Sequence, residues 1–332
     1  MFKYVLKRLA MMIPVLLGVT FVVFFILALT PGDPAKMILG EQASQEAIDA
    51  LHEEMGLDDP ILVRYGRYVT GVLRGDLGKS YKSNLPVFSQ IMERFPNTVI
   101  LAASAMIIAL IIGIPIGVLS ARKQYTLVDN VSTVIGLLGV SMPTFWLGLL
   151  LVMLFSLKLG WLPSSGMGEG FGPLMKSLIL PAFTLGTSSA ATIMRMTRSS
   201  MLEVLRQDYI DTARAKGLKE SKVVTRHMLK NALVPIITVT GLQFGNLLGG
   251  ATLTETIFSW PGLGRLMVDS IKTKDMPMVL GAVLFLAIMY SFVNLFVDIL
   301  YAYVDPRIKS QYKSVKPSNG SNGTKSSGLR QA

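Results

Sequence analysis

The sequence has 332 residues, a formal net charge of +11 and 51% hydrophobic residues, which fall in long uninterrupted runs. These runs and the mean hydropathy of +0.51 exclude an ordinary soluble domain, and the positive charge indicates membrane orientation rather than a nucleic-acid partner, because basic residues of membrane proteins collect in cytoplasmic loops. The chain has no cysteine and only two distant histidines, His52 and His227, so neither disulfides nor a metal site is expected.

The apolar runs predict an all-α protein that crosses a membrane about six times. A hydrocarbon core about 30 Å thick needs roughly 20 apolar residues in a helix. The predicted spans are 9–29, 98–119, 131–157, 177–194, 233–253 and 279–303. The first span follows basic residues, as the core of a secretory signal does, but its length favours an uncleaved anchor.

The distribution of basic residues orients the predicted spans. Both termini and the segment 195–233 hold most of the basic side chains, whereas the short loops on the other side hold few. Since cytoplasmic loops carry the excess of Lys and Arg, both termini are predicted to be cytoplasmic. The long segment after the first span also carries basic residues, but long loops translocate largely regardless of charge.

The polar segment 31–96 has helix signals of its own. Ser44 can cap a helix that Gly56 ends, and Asp59-Pro60 can begin another. These signals predict an extracytoplasmic helical subdomain, which is either a folded loop or a partner-binding element. The remaining predicted regions are the cytoplasmic N-terminus with the first span (1–30), the transmembrane core (97–308) and a disordered cytoplasmic tail (309–332).

The predicted spans carry no acidic or basic side chain at mid-membrane, where ion-coupled carriers and pumps hold the charges that couple them. Glu255 and Asp298 lie near the ends of spans, where a structural role is favoured. The run 78–80 (Gly-Lys-Ser) ends like a phosphate loop, but Leu73 occupies the position of the required leading glycine, so no ATP site is predicted. Energy for any transport is therefore expected to come from another protein.

The cytoplasmic segment 195–233, here called the elbow, has the pattern of two amphipathic helices. Apolar residues recur at helical spacing from Met201 to Ala213, and Gly217 stands where a helix commonly ends with a left-handed residue. A second helix is predicted from Val223 to Leu233. Charged side chains lie between the apolar positions, so the elbow is predicted to dock onto a soluble partner, with a solvated helix face as the alternative.

Three stretches of the chain carry a family resemblance. The first consists of Tyr209, Ile210, Asp211, Thr212, Ala213, Arg214, Ala215, Lys216 and Gly217. The other two are 258–266, before the last span, and 298–307, at its end. Together they resemble permease subunits of binding-protein-dependent ATP-binding-cassette (ABC) importers, in the dipeptide, oligopeptide and nickel branch. The generic signature opens Glu-Ala-Ala where this chain has Asp-Thr-Ala, which leaves the role of Asp211 open.

The resemblance implies a type I ABC importer permease of the MetI-like fold, surrounded by lipid in the plasma membrane of a prokaryote. It implies a second homologous permease, two cytoplasmic ATPase subunits that bind ATP and Mg, an extracytoplasmic solute-binding protein, and a di- or oligopeptide substrate. Residues 209–217 would insert into a groove of the ATPase. Separately, the helical spacing of the apolar residues predicts that Ala213→Glu weakens ATPase docking by placing a charge on a packed face. This chain would be no enzyme and hold no cofactor. A nickel or other small-solute importer shares every motif, and an ion-coupled secondary carrier is the alternative from another class.

Two further groups of residues are candidate sites. Gln243 and Asn246 are unusual in hydrocarbon and need hydrogen-bond partners from another helix or a wet pathway, so they are candidates for the translocation pathway. Trp260, Pro261 and Gly262 form either a membrane-interface anchor or, from the resemblance, an outer gate or a contact for the solute receptor. The glycines spaced for close helix packing are Gly113, Gly117, Gly241, Gly245 and Gly249.

Overall fold

The computed structural model describes residues 2–40 and 42–304, which contain helices and no β-strand. The helices are α1 (Phe2–Leu29), α2 (Pro34–Leu39), α3 (Gln45–Met55), α4 (Ile61–Leu73), α5 (Val87–Arg122), α6 (Leu127–Ser141), α7 (Thr144–Leu151), α8 (Phe171–Leu205), α9 (Asp208–Ala215), α10 (Glu220–Lys222), α11 (Lys230–Ile257), α12 (Leu263–Lys272) and α13 (Met276–Val304). Two π-helical segments, Val152–Lys158 and Val223–Leu229, continue α7 and join α10 to α11. The predicted tail, 309–332, lies outside the described residues.

Among the described residues, five helical segments are long and apolar enough to cross a membrane. They are Val5–Leu29, Val87–Arg122, Phe171–Leu205, Glu220–Ile257 and Met276–Leu300. A sixth crossing needs α6 together with Thr144–Lys158, and these two are bent by 102°. The prediction of 131–157 as one continuous helix is therefore wrong. Pro143 lacks a backbone N–H and favours an extended conformation at Met142, whose ψ is 124°, so the helix breaks there.

Helix α5 is longer than the span predicted from hydropathy. It begins at Val87, so the domain boundary predicted at residue 97 falls inside this helix. Val87 and Ile91 in its first turns are buried in a cluster with Leu263. This packing extends the helix beyond its apolar span, and the part of the predicted subdomain 31–96 that lies before Val87 consists of α2, α3, α4 and the loop that follows them.

Helices α5 and α8 pack against each other along their length and form the centre of the protein. Glycine makes this contact possible. A Cβ atom at Gly113 would lie 2.7 Å from the Ala190 carbonyl oxygen, and one at Gly117 would lie 2.6 Å from that of Met194. The packing role predicted for this pair of glycines is therefore confirmed.

The Gly117→Ala variant is expected to unfold at a lower temperature than the native chain. The added methyl group meets backbone, which cannot yield as a flexible side chain can, and overpacking of this kind costs about 1–3 kcal/mol. Gly18→Ala is the matched control, because nothing lies within 4 Å of a Cβ atom at that position of α1. Thermal unfolding of both variants in one detergent measures the difference, and equal midpoints would contradict a tight α5–α8 contact.

Helix α1 lies at the edge of the core and contacts α4 and α13. The rings of Phe24 and Tyr65 meet edge to face at 5.5 Å, and the Tyr65 hydroxyl donates to the Leu17 carbonyl at 2.8 Å. Near the other end of α1, Arg8 pairs with Asp298 at 2.8 Å, which gives Asp298 the structural role predicted for it. Many other side chains of α1 are exposed and apolar, as expected for a helix that faces lipid.

The helix signals of the segment 31–96 are confirmed. The Ser44 hydroxyl accepts the Ala47 N–H at 3.3 Å at the start of α3, and Gly56 ends α3 with φ +60°. Helix α4 begins directly after Pro60. Each signal acts locally, because a cap or a left-handed residue fixes its own turn of the chain.

A pH-sensitive contact joins α3 to the start of α2. His52 Nε2 lies 2.8 Å from Asp33 Oδ1, and Asp33 caps α2 by accepting the Ala35 N–H at 2.9 Å. The hydrogen bond to Asp33 raises the pKa of His52. Burial raises the pKa of Asp33, but hydrogen bonds from His52 and the backbone outweigh it, so this pKa is lowered overall. The stabilisation is complete between the ordinary values, 3.8 and 6.5, and is lost as the pH rises through the raised pKa of His52 or falls through the lowered pKa of Asp33.

Amide protection in α3 is expected to fall when the pH is raised from about 6 to about 9, because His52 loses its charge in that range. Hydrogen exchange corrected for intrinsic rates measures this. The His52→Gln variant keeps a hydrogen-bonding side chain but cannot titrate, so its protection should not change with pH. A native-like fall in the variant would assign the effect to another group.

Candidate functional site

The part of the elbow that was predicted to dock onto a partner forms a short helix, α9, between two breaks. The chain leaves α8 at Leu205, and Gln207 is extended (φ −88°, ψ 136°) before α9 begins. The single helix predicted from Met201 to Ala213 is therefore wrong. Met201 and Ile210 are both fully buried in one cluster, whereas residues at that spacing lie on opposite faces of a straight helix. The bend is what buries both side chains.

The side chains of α9 and its C-terminal loop divide into a buried and an exposed set. Ile210, which is 0% exposed, and Ala213 belong to a cluster with Val223 and Met228. The exposed set consists of Tyr209, Asp211, Thr212, Arg214, Ala215, Lys216 and Gly217. Only the exposed set is available to a partner, whereas Ile210 and Ala213 fix α9 to the start of the following span.

Three contacts fix the C-terminal end of α9. Gly217 has φ +74°, the left-handed conformation predicted for it, and its N–H donates to the Arg214 carbonyl at 2.9 Å. The Arg214 guanidinium pairs with Glu220 at 3.0 Å and lies 3.5 Å from Asp211. Arg214 therefore forms ion pairs with both Asp211 and Glu220, and its pair with Glu220 connects α9 to α10.

Gln243 and Asn246 belong to a row of polar side chains that crosses three helices. The Gln243 amide donates to the Ser189 hydroxyl of α8 at 3.2 Å, and the Asn246 amide donates to Gln243 at 3.2 Å. Tyr290 of α13 donates to Asn246 at 3.5 Å. The predicted need for partners from other helices is confirmed. Asn246 and Tyr290 are exposed on the surface of this chain, so the row reaches that surface.

The glycines on the same helix differ in their neighbours. A Cβ atom at Gly241 would lie 2.3 Å from Val297 of α13, and one at Gly245 would lie 3.3 Å from Tyr290. These two glycines therefore let α11 approach α13, as predicted. Gly249 has no neighbour within 4 Å of a Cβ atom, so the structure gives it no packing role within the described residues.

The turn before α12 encloses its tryptophan. Trp260 is 0% exposed, and its Nε1–H donates to the Asn97 carbonyl at 2.9 Å. The interpretation of Trp260 as a membrane-interface anchor is therefore wrong, because an anchoring indole contacts lipid. Pro261 is half-buried, and its carbonyl accepts the Asn97 amide at 2.9 Å. An outer gate or receptor contact at Trp260, Pro261 and Gly262 stays a prediction.

Glu255 joins this turn to α5 and caps α12. Its buried carboxylate accepts the Thr98 hydroxyl at 2.7 Å and the Arg265 N–H at 2.9 Å. Gly262 leaves space for it, since a Cβ atom there would lie 2.2 Å from the carboxylate. The Leu263 N–H donates to the Thr98 hydroxyl at 2.8 Å. Glu255 therefore has the structural role predicted for it.

Family comparisons cover nearly the whole chain. Residues 113–310 match the family described as "Binding-protein-dependent transport system inner membrane component". Residues 1–102 match the N-terminal part described for the same kind of membrane component. The chain belongs to this permease family.

The permease is similar over most of its length to three named proteins. It is 48% identical over 332 residues to the dipeptide transport system permease protein DppB of Alkalihalophilus pseudofirmus, with 93% of this chain and 100% of that protein covered. It is 45% identical over 336 residues to DppB of Escherichia coli K12, with 93% and 99% covered. The glutathione transport system permease protein GsiC of Salmonella paratyphi A is 44% identical over 309 residues, with 93% and 99% covered.

A solved structure shares the fold of the permease. It shows inward-facing conformations of the MetNI methionine ABC transporter, with a TM-score of 0.52, 17% identity, and 66% of this chain and 97% of that chain covered. The predicted MetI-like permease fold is confirmed. The permease is thus a multi-pass component of an ABC importer in the cytoplasmic membrane. The alternative of an ion-coupled secondary carrier is not supported.

The permease contains a buried ion pair that its sequence pattern did not predict. Asp129 of α6 is 2% exposed and accepts both Nε–H and Nη2–H of Arg198 in α8, at 2.7 and 2.8 Å. It also accepts the Ser120 hydroxyl at 2.5 Å and the Tyr125 N–H at 3.0 Å. One carboxylate therefore connects α5, α6 and α8. An acidic residue beside an apolar run was the only signal in the sequence, and nothing there indicates its partner.

Another buried carboxylate, Asp275, connects the loop before α5 to the start of α13. Asp275 accepts the Ser80 hydroxyl, the Tyr81 N–H at 3.0 Å and the Met278 N–H at 3.4 Å. The Gly-Lys-Ser run at 78–80 thus contributes to a contact within the chain. Among the described residues, no group of three or more His, Asp or Glu side chains could hold a metal ion.

Proposed function

We propose that this permease moves di- or oligopeptides across the cytoplasmic membrane, driven by ATP hydrolysis on separate ATPase subunits. Two relatives named as dipeptide permeases are 45% and 48% identical over 93% of this chain, and the glutathione permease is 44% identical. Glutathione is itself a tripeptide, so the two named substrates, dipeptides and glutathione, share peptide chemistry. The permease contributes the pathway, and the ATPase subunits bind ATP and Mg.

Coupling is assigned to the exposed set of α9, and the observation that supports it most directly is the division of this helix into two faces. The exposed face offers Tyr209, Thr212 and Lys216 to a cytoplasmic subunit. The buried face, Ile210 and Ala213, joins the cluster that contains the end of α8 and the start of the following span. A displacement of α9 by the closing ATPase therefore moves both spans together.

The same spans carry the polar row, so movement at α9 reaches the proposed pathway. Ser189 lies on α8, and Gln243 and Asn246 lie on α11. The ATPase contacts α9 in both the outward-open and the inward-open state. Its closure shifts the equilibrium between these states by the difference in free energy of those contacts. We assign the exposed end of the row, Asn246 and Tyr290, to a wet pathway that a second homologous permease completes.

Both termini are assigned to the cytoplasm, as the distribution of basic residues predicts. Four polar contacts support the assignment that successive spans cross the membrane in opposite directions. Each contact joins two residues predicted to lie on the same side of the membrane. The inner contacts are Arg8–Asp298 and Asp129–Arg198, and the outer ones are Thr98–Glu255 and Ser80–Asp275. Two ATPase subunits then bind on the side of α9, and a solute-binding protein delivers peptide on the side of α12.

The test is co-purification followed by uptake. The tagged permease, extracted in mild detergent, should carry a second permease and ATPase subunits that mass spectrometry identifies. The same complex in proteoliposomes, with its solute-binding protein outside, should accumulate labelled dialanine only when Mg-ATP is present inside. Accumulation of Ni²⁺ in place of the peptide would assign the permease to the nickel branch. Uptake driven by an ion gradient without ATP would contradict the proposal.

A further inference from the structure

A cavity of about 340 Å³ lies between α1, α4 and the start of α13, away from α9 and the polar row. Its apolar wall includes Phe24, Met276 and Leu280. Its polar lining includes Arg64 and Tyr68 of α4 together with Asp76 in the loop that follows. Arg67 of α4 and Tyr81 also line the cavity, which therefore combines an apolar wall with two cationic groups, one carboxylate and two hydroxyl groups.

Arg64 brings an unneutralised charge into this cavity. The side chain is half-buried, its guanidinium lies 5.9 Å from the centre of the Phe24 ring, and its Nη1–H donates to the Leu57 carbonyl at 3.4 Å. Among the described residues it forms no ion pair, whereas the neighbouring Arg67 pairs with Asp59. A guanidinium remains charged at every physiological pH and offers five donors in one plane.

Tyr68 adds a second donor on the same face of α4, four residues after Arg64. Its hydroxyl is buried and contacts no hydrogen-bond partner within the part of the chain that the structure describes. Burial raises the pKa of Tyr68, so the hydroxyl keeps its proton. A buried hydroxyl without a partner costs free energy, and an acceptor bound in the cavity would remove that cost.

Asp76 supplies the opposite charge at the rim. Its side chain is exposed, and Oδ1 accepts the Gly78 N–H at 2.8 Å. It lines the same cavity as Arg64 but forms no ion pair with it within the described residues. An arginine and a carboxylate that share a cavity without pairing fit a ligand that carries an anion and an ammonium group.

The position of the cavity relative to the ends of the membrane spans indicates where such a ligand comes from. Phe24 lies five residues before the end of α1, and Leu280 lies four residues after the start of α13; at 1.5 Å per residue both are about 6–8 Å from the helix ends. Helix α4 exposes Leu62 (71%) and Leu73 (81%) beside them. A short helix that exposes leucines and also carries tyrosines and arginines, at the end of two spans, is typical of the membrane interface.

We propose that this cavity binds the headgroup of an aminophospholipid, phosphatidylethanolamine, from the lipid leaflet next to α4. Arg64 and Tyr68 donate to the phosphate, Asp76 accepts from the primary ammonium, and Phe24, Met276 and Leu280 contact the glycerol and the first acyl carbons. Arginine suits the phosphate because its fork matches two phosphate oxygens. A quaternary ammonium has no N–H to donate to Asp76, so phosphatidylcholine fits less well.

Native mass spectrometry of the delipidated permease complex tests the proposal. Palmitoyl-oleoyl phosphatidylethanolamine, phosphatidylglycerol and phosphatidylcholine are supplied in equal amounts, and the lipid retained after activation is counted. The ethanolamine lipid should be retained most. Arg64→Gln should lower its retention about tenfold, the size expected for a lost charge-assisted hydrogen bond, and Tyr68→Phe should lower it about threefold. Arg74→Gln is the matched control, because Arg74 ends the same helix outside the cavity lining.

Asp76→Asn keeps the proposal testable even where a change in α4 impairs folding, because Asp76 is exposed and asparagine can still accept the Gly78 N–H. This variant should lose the preference for ethanolamine and gain phosphatidylglycerol. Equal retention by Arg64→Gln and Arg74→Gln would overturn the site. Equal retention of all three lipids by the native complex would overturn the role of Asp76. Displacement of the lipid by millimolar dialanine or inorganic phosphate would also overturn the lipid assignment, in favour of a soluble ligand.

Discussion

Replacing Gly217 by valine is expected to lower ATP-driven peptide uptake about tenfold while leaving the permease inserted in the membrane. Gly217 ends α9 with φ +74°, and this conformation costs an L-residue roughly 1–2 kcal/mol, with β-branched residues the least tolerant. Unwinding the last turn of α9 relieves the strain and removes the proposed docking face. Since 1.4 kcal/mol corresponds to a factor of ten, about a tenth of the molecules would then present that face.

Gly217→Asn is the matched control for this variant. Nothing lies within 4 Å of a Cβ atom at this position, so either side chain fits and the backbone conformation alone distinguishes them. Asparagine enters the left-handed region much more readily than valine. Uptake and co-purification of the ATPase should therefore be near native for asparagine and reduced for valine. Equal loss in both variants would indicate that any side chain at position 217 obstructs the contact with the ATPase. Native uptake by the valine variant would refute the role of this turn.

Sequence predicted this fold best where the chemistry of one residue sets the geometry of its own turn. Gly56 and Gly217 both adopt the left-handed conformation expected for a glycine at a helix end. Gly113 and Gly117 both lie against backbone, because a residue without a Cβ atom permits close approach whichever helix comes to it. None of these predictions requires knowledge of which segment packs against the glycine, so each could be made from the sequence alone.

The orientation of α9 shows what periodicity leaves open. Apolar spacing correctly marks Ile210 and Ala213 as one face, but a docking helix and a helix of the core both have such a face. Weakened ATPase docking by Ala213→Glu therefore stays a prediction, but the packed face that receives the charge belongs to this chain. Ala213 is buried in this chain's own cluster, so Ala213→Glu would bury a carboxylate among apolar side chains and destabilise the elbow itself.

Contacts between distant segments could not be predicted from one sequence. Arg198 lies 69 residues from Asp129, and it is one of several basic residues in the elbow, none of which the sequence marks as the partner of Asp129. The same holds for Ser80 and Asp275, which are 195 residues apart. The break at Pro143 was visible in the sequence, but hydropathy is insensitive to it because apolar residues continue on both sides.

The largest loss of stability is expected from Asp129→Ala. The substitution leaves the Arg198 guanidinium, which is 28% exposed, without its carboxylate, and leaves Ser120 and the Tyr125 N–H without their acceptor. Removing one partner of a buried ion pair costs about 3–5 kcal/mol, and the exposed part of Arg198 places the expected value near the lower end, about 3 kcal/mol. Thermal unfolding in detergent, with membrane insertion measured separately, checks this result.

A double variant, Asp129→Leu with Arg198→Met, separates charge from packing. Replacing both members of a buried pair by apolar residues is often neutral or stabilising, so the double variant should unfold near the native temperature while Asp129→Ala does not. Because Arg198 lies on α8 close before α9, the pair is also a direct connection from the elbow to α6. We therefore expect the stable double variant to hydrolyse ATP with reduced peptide uptake, whereas native uptake would restrict the pair to a role in stability.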